Sequence, residues 1–449
     1  MDFELKVILL SISLVFLTQI ILSSSYMTLK DIFSSLQSRN YRLYFTGQGI
    51  SLIGTWMQNI ALSWLVYRLT GSVFLLGLIG FTTQIPTFIL SPFTGVLTDK
   101  YNRLRIMILA QVFFMIHAAI MTILVLFNMI EVWHIIVLSL LFGVISAFDA
   151  PARQSLVIDL IDKKEDLGNA IALNSAIFNG ARLIGPAIAG ITIAAVGEGI
   201  CFLLNTLSFV AVIAALVQIR IPFKLPIVNT DNFIKSMKDG FNYTFQSMPI
   251  RTMILLLAIL SLAGFPFIVL LPAYAKEILG GGAGALGFLM SALGGGALTG
   301  AIYMASRKSV LGISKIISLN TCLLGVTIVL FSFSSNTTFS LLILFAAGLS
   351  MILSLAALNT LLQTIAEEEM RGRVMSFYAM ALMGTQPIGS LLAGSTASGI
   401  GIPHTLLIGG LITVAAGVWF EVNRKSMKKY IRQTYISKGI LPGFSDDLT

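Results

Sequence analysis

Charged residues are scarce in this chain. Asp, Glu, Lys and Arg make up only 11% of its 449 residues, whereas 56% are hydrophobic and the mean hydropathy is +0.90. A single core surrounded by water cannot hide that much apolar surface, so the composition excludes an ordinary soluble domain. Lipid must be the solvent for most of the chain.

Motifs of soluble enzymes and of metal sites are missing as well. The sequence has no G-x-x-x-x-G-K-[ST] phosphate loop, so we do not expect it to use ATP directly. Cys201 and Cys322 lie far apart in apolar runs, which indicates two packing residues. His117, His134 and His404 are also scattered. We therefore expect no enzyme, no metal site and no cofactor, and an ion or substrate gradient as the energy source.

Twelve apolar stretches are long enough to span a bilayer. They lie at residues 44–70, 73–97, 106–128, 133–157, 170–195, 200–219, 252–275, 284–305, 313–334, 339–365, 374–397 and 404–422. The first six form a predicted N-terminal bundle at 27–219 and the others a C-terminal bundle at 252–422. The predicted fold class is an all-α polytopic membrane protein with twelve transmembrane helices in two six-helix bundles.

Three segments lie outside these bundles. Residues 1–26 carry an apolar run that follows Asp2 and Glu4, so a cleavable signal fits poorly. We interpret them as an apolar N-terminal extension and leave a thirteenth helix open. Residues 220–251 are predicted to form a cytoplasmic linker, and 423–449 a basic cytoplasmic tail.

The linker is predicted to contain an amphipathic helix. Phe233, Met237, Phe241 and Phe245 recur every four residues, with polar residues on the other faces. Such a helix lies along the inner membrane surface or packs on the cytoplasmic ends of the protein's own helices. Both interpretations fit the sequence.

Basic residues set the predicted orientation. With residues 28–43 inside, only Arg68 and Lys276 of the 29 Lys and Arg fall on outer loops, which makes the C-terminus cytoplasmic. The net charge of +9 then reflects topology and attraction to anionic lipid. We expect membrane lipids among the partners and no nucleic acid, because no soluble basic domain is present to hold a duplex.

An internal repeat relates the two halves. An offset of 204 residues (372 − 168) pairs identical residues, most of them small, in the fifth and eleventh spans. The alternative is a chance match, because the chain contains 39 glycines. The pairs are Gly168 with Gly372, Gly180 with Gly384, Ile184 with Ile388, Gly185 with Gly389, Ala189 with Ala393 and Gly190 with Gly394. The repeat predicts that the two bundles are pseudo-symmetric.

The two halves differ in charge at the loop after their second helix. Matching Gly80 to Gly287 places Asp99 opposite Ser306, so the second copy lacks an acid there. Only the first half is therefore predicted to form an acid-based latch.

Charged residues inside the spans are rare and therefore informative. Arg182 lies near the midplane of the fifth span, and Asp149 lies at a similar depth in the fourth. We expect the two to face each other or to share water, with Arg153 as the competing partner of Asp149. One interpretation is a fixed structural ion pair. The other is that Arg182 binds an anionic group of the substrate while Asp149 carries a proton.

Small residues and a proline surround Arg182. Gly180, Gly185, Pro186 and Gly190 allow close helix contact and a bend, which predicts a seal or hinge, with ordinary packing as the alternative. Polar residues elsewhere in the spans either line a central cavity or serve helix association. The cavity candidates are Gln58, Asn59, Gln84, Asn179, Asn359 and Gln386.

The loop between the second and third spans carries a recognisable pattern. It reads G-V-L-T-D-K-Y-N-R-L-R, and its candidate gate residues are Gly95, Asp99, Lys100, Arg103 and Arg105. This loop resembles the signature G-x-L-x-D-R-x-G-R-R of the major facilitator superfamily of secondary transporters, with Asn102 in place of the second glycine. The resemblance implies that the loop stabilises the outward-facing state. A carboxylate before the third helix can also accept backbone N–H bonds.

Other motifs narrow this resemblance. The segments G-T-W-M-Q at Gly54, D-A-P-A-R-Q at Asp149 and R-L-I-G-P at Arg182 resemble the enterobactin-exporter branch, over roughly residues 36–423. That branch implies proton-driven export of siderophores or amphipathic drugs across a bacterial inner membrane by alternating access. We expect a monomer that moves a small-molecule substrate. A lipid or lysolipid flippase and a non-transporting membrane sensor are the alternatives.

Overall fold

The protein was analysed as a computed structural model, which describes residues 33–221, 233–307 and 309–441. Within these ranges the regular structure is entirely helical. The predicted N-terminal extension at 1–26 lies outside the described residues.

The N-terminal half contains six long helices. After a short 3₁₀ turn at Ser34–Gln37, they are α1 (Arg39–Thr70), α2 (Val73–Lys100), α3 (Arg103–Leu126), α4 (Val132–Asp159), α5 (Leu167–Val196) and α6 (Glu198–Val217). α1 packs on α5 and α6, while α3 packs on α4 and α6. The N-terminal bundle therefore matches the six predicted spans.

The C-terminal half contains nine helical segments within the described residues. They are α7 (Phe233–Gln246), α8 (Met248–Ile259), α9 (Leu271–Glu277), α10 (Ala283–Ser306), α11 (Ile313–Ser332), α12 (Thr337–Ile365), α13 (Glu368–Met383), α14 (Thr385–Ile400) and α15 (Ile402–Ser437). α8 and α9 are joined by a π turn at Leu260–Gly264 and a 3₁₀ turn at Pro266–Leu270, where Pro266 cannot donate a backbone hydrogen bond. α13 and α14 meet at Gly384, three residues before Pro387.

Ten helices of the described chain are individually long and apolar enough to cross a membrane, counting Met248–Glu277 as one. This confirms the all-α polytopic membrane fold. α1 and the broken pair α13 and α14 are not among those ten, and they are the elements that would complete the predicted twelve.

The linker helix α7 lies on the protein's own C-terminal half. The rings of Phe241 and Phe245 both contact Phe377 on α13, and Asp239 lies 3.7 Å from Arg373 of the same helix. Burial raises the pKa of Tyr243, whose hydroxyl accepts the backbone N–H of Glu367. The described part of the linker therefore packs on the protein's own helices, which is the second of the two interpretations, because its aromatic face contacts α13. The side chains of Phe233 and Met237 lie outside the description.

The predicted tail begins inside a helix. α15 continues without a break from the membrane span to Ser437, and its residues Met427, Ile431 and Tyr435 are buried in the core of the C-terminal half. The first part of the tail is therefore helical and packed, because an apolar stripe continues past the membrane span.

The internal repeat is visible in the contacts that the glycines make. Gly185 packs on α1, where an added Cβ would lie 2.6 Å from the Cβ of Trp56, and Gly389 packs on the segment that contains Ser261 and Pro266. Each of these glycines thus faces the first helix of its own half. The repeat predicted from the sequence is confirmed at these positions.

The same repeat forms two seams between the halves. Gly190 on α5 packs on Gly287 of α10, and Gly394 on α14 packs on Gly77 of α2. Gly77 therefore corresponds to Gly287, an offset of 210 residues (287 − 77), and not Gly80 as the sequence comparison assumed. The earlier register is wrong by three residues, because it rested on one dipeptide while backbone contact defines the seam.

These seams close one end of the molecule. α2 and α10 begin at this end and α5 and α14 end there, so we call it the closed end. We call the opposite end, with the loops around residues 101–102, 160–166 and 366–367, the open end. At the open end, the hydrogen bonds of Lys438 and the ion pairs of Arg103 with Asp159 and of Arg373 with Asp239 each lie within one half.

Candidate transport site

Arg182 lies midway along α5, a helix of 30 residues, and its guanidinium stacks on an aromatic ring. The carbon Cζ lies 5.7 Å from the ring centroid of Trp56 on α1. The backbone of Arg182 contacts Gly294 on α10, at the inner limit of the seam between α5 and α10. The side chain is partly exposed. A cation is therefore held near the membrane midplane, next to the boundary between the halves.

The exposed part of Arg182 does not face lipid. The lipid-facing stripe of α5 is marked by Ile184, Ile188 and Ile191, which are all strongly exposed. Arg182 precedes Ile184 by two residues, which is a rotation of about 200° around a helix of 3.6 residues per turn. It therefore points toward the interior and not into the acyl chains.

Arg182 forms no ion pair among the described residues. Placing an arginine at the centre of a bilayer costs about 3 kcal/mol or more, whereas a cation–π contact contributes roughly 0.5–2 kcal/mol. The contact with Trp56 does not offset the whole cost. A further polar partner, such as water or an anionic group, would offset the rest of the cost.

Asp149 is satisfied by neighbours other than Arg182. Its side chain accepts a hydrogen bond of 2.7 Å from Gln111 on α3 and lies 3.2 Å from the guanidinium of Arg153 on α4. The expected direct pair with Arg182 is therefore not formed. Arg153 pairs with Asp149 because residues four apart on one helix lie on the same face. The guanidinium of Arg182 instead stacks on Trp56.

The glycines and the proline of α5 serve different contacts. Gly185 packs on α1, and the carbonyl of Pro186 and the backbone of Gly190 contact α10. An added Cβ at Gly180 would meet nothing within 4 Å. Gly185, Pro186 and Gly190 thus form a tight seal in this conformation, while Gly180 has no close contact to explain it. α5 continues through Pro186 as one helix.

The six cavity candidates divide into three groups. Gln58 is buried and accepts a hydrogen bond of 2.8 Å from Asn205 on α6, so it joins helices of one half and is not free to line a cavity. Gln84 and Asn179 donate to carbonyls of their own helices. Asn59 is exposed, Gln386 is partly exposed, and Asn359 lines a cavity at the open end.

The candidate gate loop differs from expectation in its helix cap. Asn102 caps α3, with its side chain accepting the backbone N–H of Arg105 at 3.2 Å, and Asp99 lies within the last turn of α2. The cap function expected of Asp99 thus belongs to the residue that replaces the signature glycine. Nothing is described of the Asp99 side chain.

The basic residues of the loop lie at the open end, and one of them forms an ion pair with a carboxylate of its own half. Arg103 lies 3.0 Å from Asp159 at the end of α4, while Lys100 and Arg105 are exposed at the open end. An added Cβ at Gly95 would meet nothing within 4 Å, so the close approach expected there is not found in this conformation.

At the closed end the structure shows a charged cluster that was not predicted from the sequence. The hydroxyl of Tyr67 on α1 donates a hydrogen bond to Glu277 on α9, and Lys276 lies 5.5 Å from the centroid of the same ring. This bond joins the two halves. Trp56 was also not expected as the partner of Arg182, although a tryptophan at mid-span, away from the membrane interfaces, is itself a signal.

Comparison with known proteins agrees with this architecture. The family model described as transmembrane secretion effector matches residues 31–434. The staphyloferrin A transporter of Staphylococcus aureus is 26% identical over 387 residues, which cover 86% of this chain and 96% of that protein. Macrolide efflux protein A of Streptococcus pyogenes is 22% identical over 84% of this chain and 95% of its own length.

Solved structures share the fold. A bacterial homologue of the human lysosomal transporter Spinster, in an inward-facing and unoccupied conformation, has a TM-score of 0.63 at 13% identity and covers 89% of this chain and 98% of its own. A POT family transporter in complex with 5-aminolevulinic acid has a TM-score of 0.70 at 11% identity, with coverage of 88% and 97%. The chain therefore belongs to the transmembrane secretion effector family of the major facilitator superfamily, and it is a multi-pass membrane transporter and not an enzyme.

Proposed function

We propose that this transporter exports an anionic, amphipathic small molecule, siderophore-like or drug-like, across a bacterial inner membrane by alternating access coupled to protons. The observation that carries the proposal is Arg182, a midplane cation that faces inward, stacks on Trp56 and has no carboxylate partner among the described side chains. An anionic group of the substrate can pair with the guanidinium. The rings of Trp56 and Phe178, whose centroids are 6.0 Å apart, offer apolar surface beside it. The efflux relatives support this direction of transport.

The conformation fits the loading step of an exporter. The positive-inside rule favours a cytoplasmic position for the open end and the C-terminus. In that orientation the two glycine seams lie on the outer side and the space between the halves opens toward the cytoplasm. Substrate from the cytoplasm or the inner leaflet reaches Arg182 in this state. We propose that a monomer suffices, because each half contributes one helix to each seam.

Asp149 is the candidate proton carrier. It is buried among Gln111 and Arg153 in the N-terminal half, where a proton on the carboxylate would release Arg153 from the pair. The proton site and the proposed anion site are then separate groups on neighbouring helices.

The test of the anion site compares Arg182→Gln with the wild-type protein in inverted membrane vesicles. Two dyes with the same ring system, one sulfonated and one neutral, are the substrates. Losing a charge-assisted hydrogen bond costs about 1.5–3 kcal/mol, so uptake of the sulfonated dye should fall by roughly tenfold or more. Lys163→Gln, which removes an exposed cation of the same half outside the gate loop, is the matched control. Equal loss for both dyes, or no loss for either, would contradict the proposal.

The test of proton coupling uses Asp149→Asn. Removing one partner of a buried pair is itself destabilising by about 3–5 kcal/mol, so Asp149→Asn with Arg153→Gln is measured beside it. Both variants should transport with a rate that no longer follows the pH gradient. Retention of the wild-type pH dependence in the double variant would refute the assignment.

A further inference from the structure

A polar cavity at the open end of the C-terminal half is separate from the Arg182 site. Its volume is about 730 Å³, within the range of roughly 300–1,000 Å³ that holds small ligands. Residues from α12, from the first turn of α13 and from the segment after α15 line it. These lining residues are Asn359, Thr360, Gln363, Thr364, Glu368, Arg371, Lys438 and Ile440.

Lys438 is fixed at the edge of this cavity. Its ammonium donates hydrogen bonds of 2.7 Å to the carbonyls of Thr364 and Ala366, at the C-terminal end of α12. These carbonyls are the negative end of the helix, which stabilises the cation there. An ammonium has three donors, so one N–H remains for a ligand.

Arg371 supplies the second cation. Its Nε is buried and has no hydrogen-bond partner, and its Nη2 lies 3.9 Å from Glu368, which is 90% exposed. A pair that long and that exposed contributes little. The Lys438 ammonium and the Arg371 guanidinium outnumber the single acid, Glu368, so the cavity lining carries a net positive charge.

We infer that this cavity binds a small polycarboxylate group, and that it is the loading site where the anionic end of the cargo first docks. The inference rests on the proposed function for its role in transport, while binding itself does not depend on it. Arg371 presents a planar fork that matches a carboxylate, and Lys438 binds a second carboxylate as a point charge. The Asn359 amide, whose oxygen accepts from Gln363 at 2.6 Å, adds donors on its nitrogen.

Citrate is the probe, with glycerol as the neutral polyol for comparison. Binding is measured by isothermal titration calorimetry on the full chain in nanodiscs. Citrate should bind to the wild-type protein and glycerol should not. Arg371→Gln should weaken citrate binding by about tenfold to a hundredfold, since each lost charge-assisted contact is of that order. Glu368→Gln should tighten it by a few fold, a gain that damage to the structure would not produce.

Lys428→Gln, which removes an exposed cation further along α15, is the matched control and should leave citrate affinity unchanged. Absence of citrate binding at millimolar concentration, or equal affinity in Arg371→Gln, would overturn the inference. Loss of binding in Arg182→Gln alone would overturn it too, because the ligand would then occupy the midplane site. If citrate binds as expected but no dye is exported, the proposed function fails and the binding site stands.

Discussion

The glycine seam between α5 and α10 allows a quantitative test of how the two halves move. An added Cβ at Gly287 would lie 2.6 Å from the carbonyl oxygen of Pro186 and 2.8 Å from the Cα of Gly190. Both contacts are with backbone, which cannot rotate away. Gly287→Ala should therefore destabilise the conformation in which the closed end is sealed. Overpacking of this kind costs about 1–3 kcal/mol, which shifts a two-state equilibrium by roughly 5- to 150-fold.

Gly284 provides a matched control on the same helix. It lies one turn before Gly287, but an added Cβ there would meet nothing within 4 Å. Both substitutions exchange a glycine of α10 for alanine and so reduce the backbone freedom of the unfolded chain in the same way. A difference between the two variants therefore reports the seam contact and not a general effect of alanine.

Spin-label distances measure the expected shift. Labels replace Met129 and Ser335, which are exposed in the two halves at the closed end, in a background with Cys201 and Cys322 changed to Ala. A second pair at Lys163 and Ser309 reports the open end. Gly287→Ala should lengthen the first distance and shorten the second, while Gly284→Ala leaves both unchanged. Identical distance distributions for the two variants would refute the reasoning.

Two further predictions concern hydrogen bonds that the structure shows. Tyr67→Phe removes the bond to Glu277 that joins the halves, so it should destabilise the sealed conformation by roughly 1 kcal/mol. The ratio of the two conformations in the same label-distance distributions should then change about fivefold, and an unchanged distribution would contradict this. Asn102→Ala removes the cap of α3 and should cost about 1 kcal/mol in detergent unfolding, whereas Asn102→Gly, which restores the signature glycine, should cost only a few tenths. An Asn102→Ala variant as stable as the wild-type protein would show that the side-chain cap does not contribute.

The sequence predicted the elements whose signal is local. Spans follow from apolar runs, and the correspondence of Gly185 with Gly389 and of Gly190 with Gly394 follows from small residues that are needed wherever backbones touch. The predicted alignment of the second span with the eighth was wrong by three residues. It relied on a single Gly-Phe match, whereas the backbone contact of Gly77 with Gly394 defines the correspondence in the structure. The breaks at Pro266 and Gly384 were likewise hidden inside continuous apolar runs.

Partners across helices could not be predicted from spacing. Arg153 and Asp149 meet because they are four residues apart on α4. Depth alone suggested Arg182 for Asp149, but whether two side chains on different helices meet depends on the rotation of each helix, and one residue changes that rotation by about 100°. The same limit hid the bond between Tyr67 and Glu277, which are 210 residues apart.

The separation of Asp149 from Arg182 constrains how a proton and a substrate can be coupled. α1 contacts both regions: the Trp56 ring supports Arg182, and the helix packs on α4, which carries Asp149 and Arg153. α1 also packs on Gly185 of α5, so a shift of α1 is transmitted to the seam with α10. If Asp149 carries a proton and Arg182 binds the substrate, as proposed, both events would act on α1, and their coupling would require no direct ion pair between the two residues.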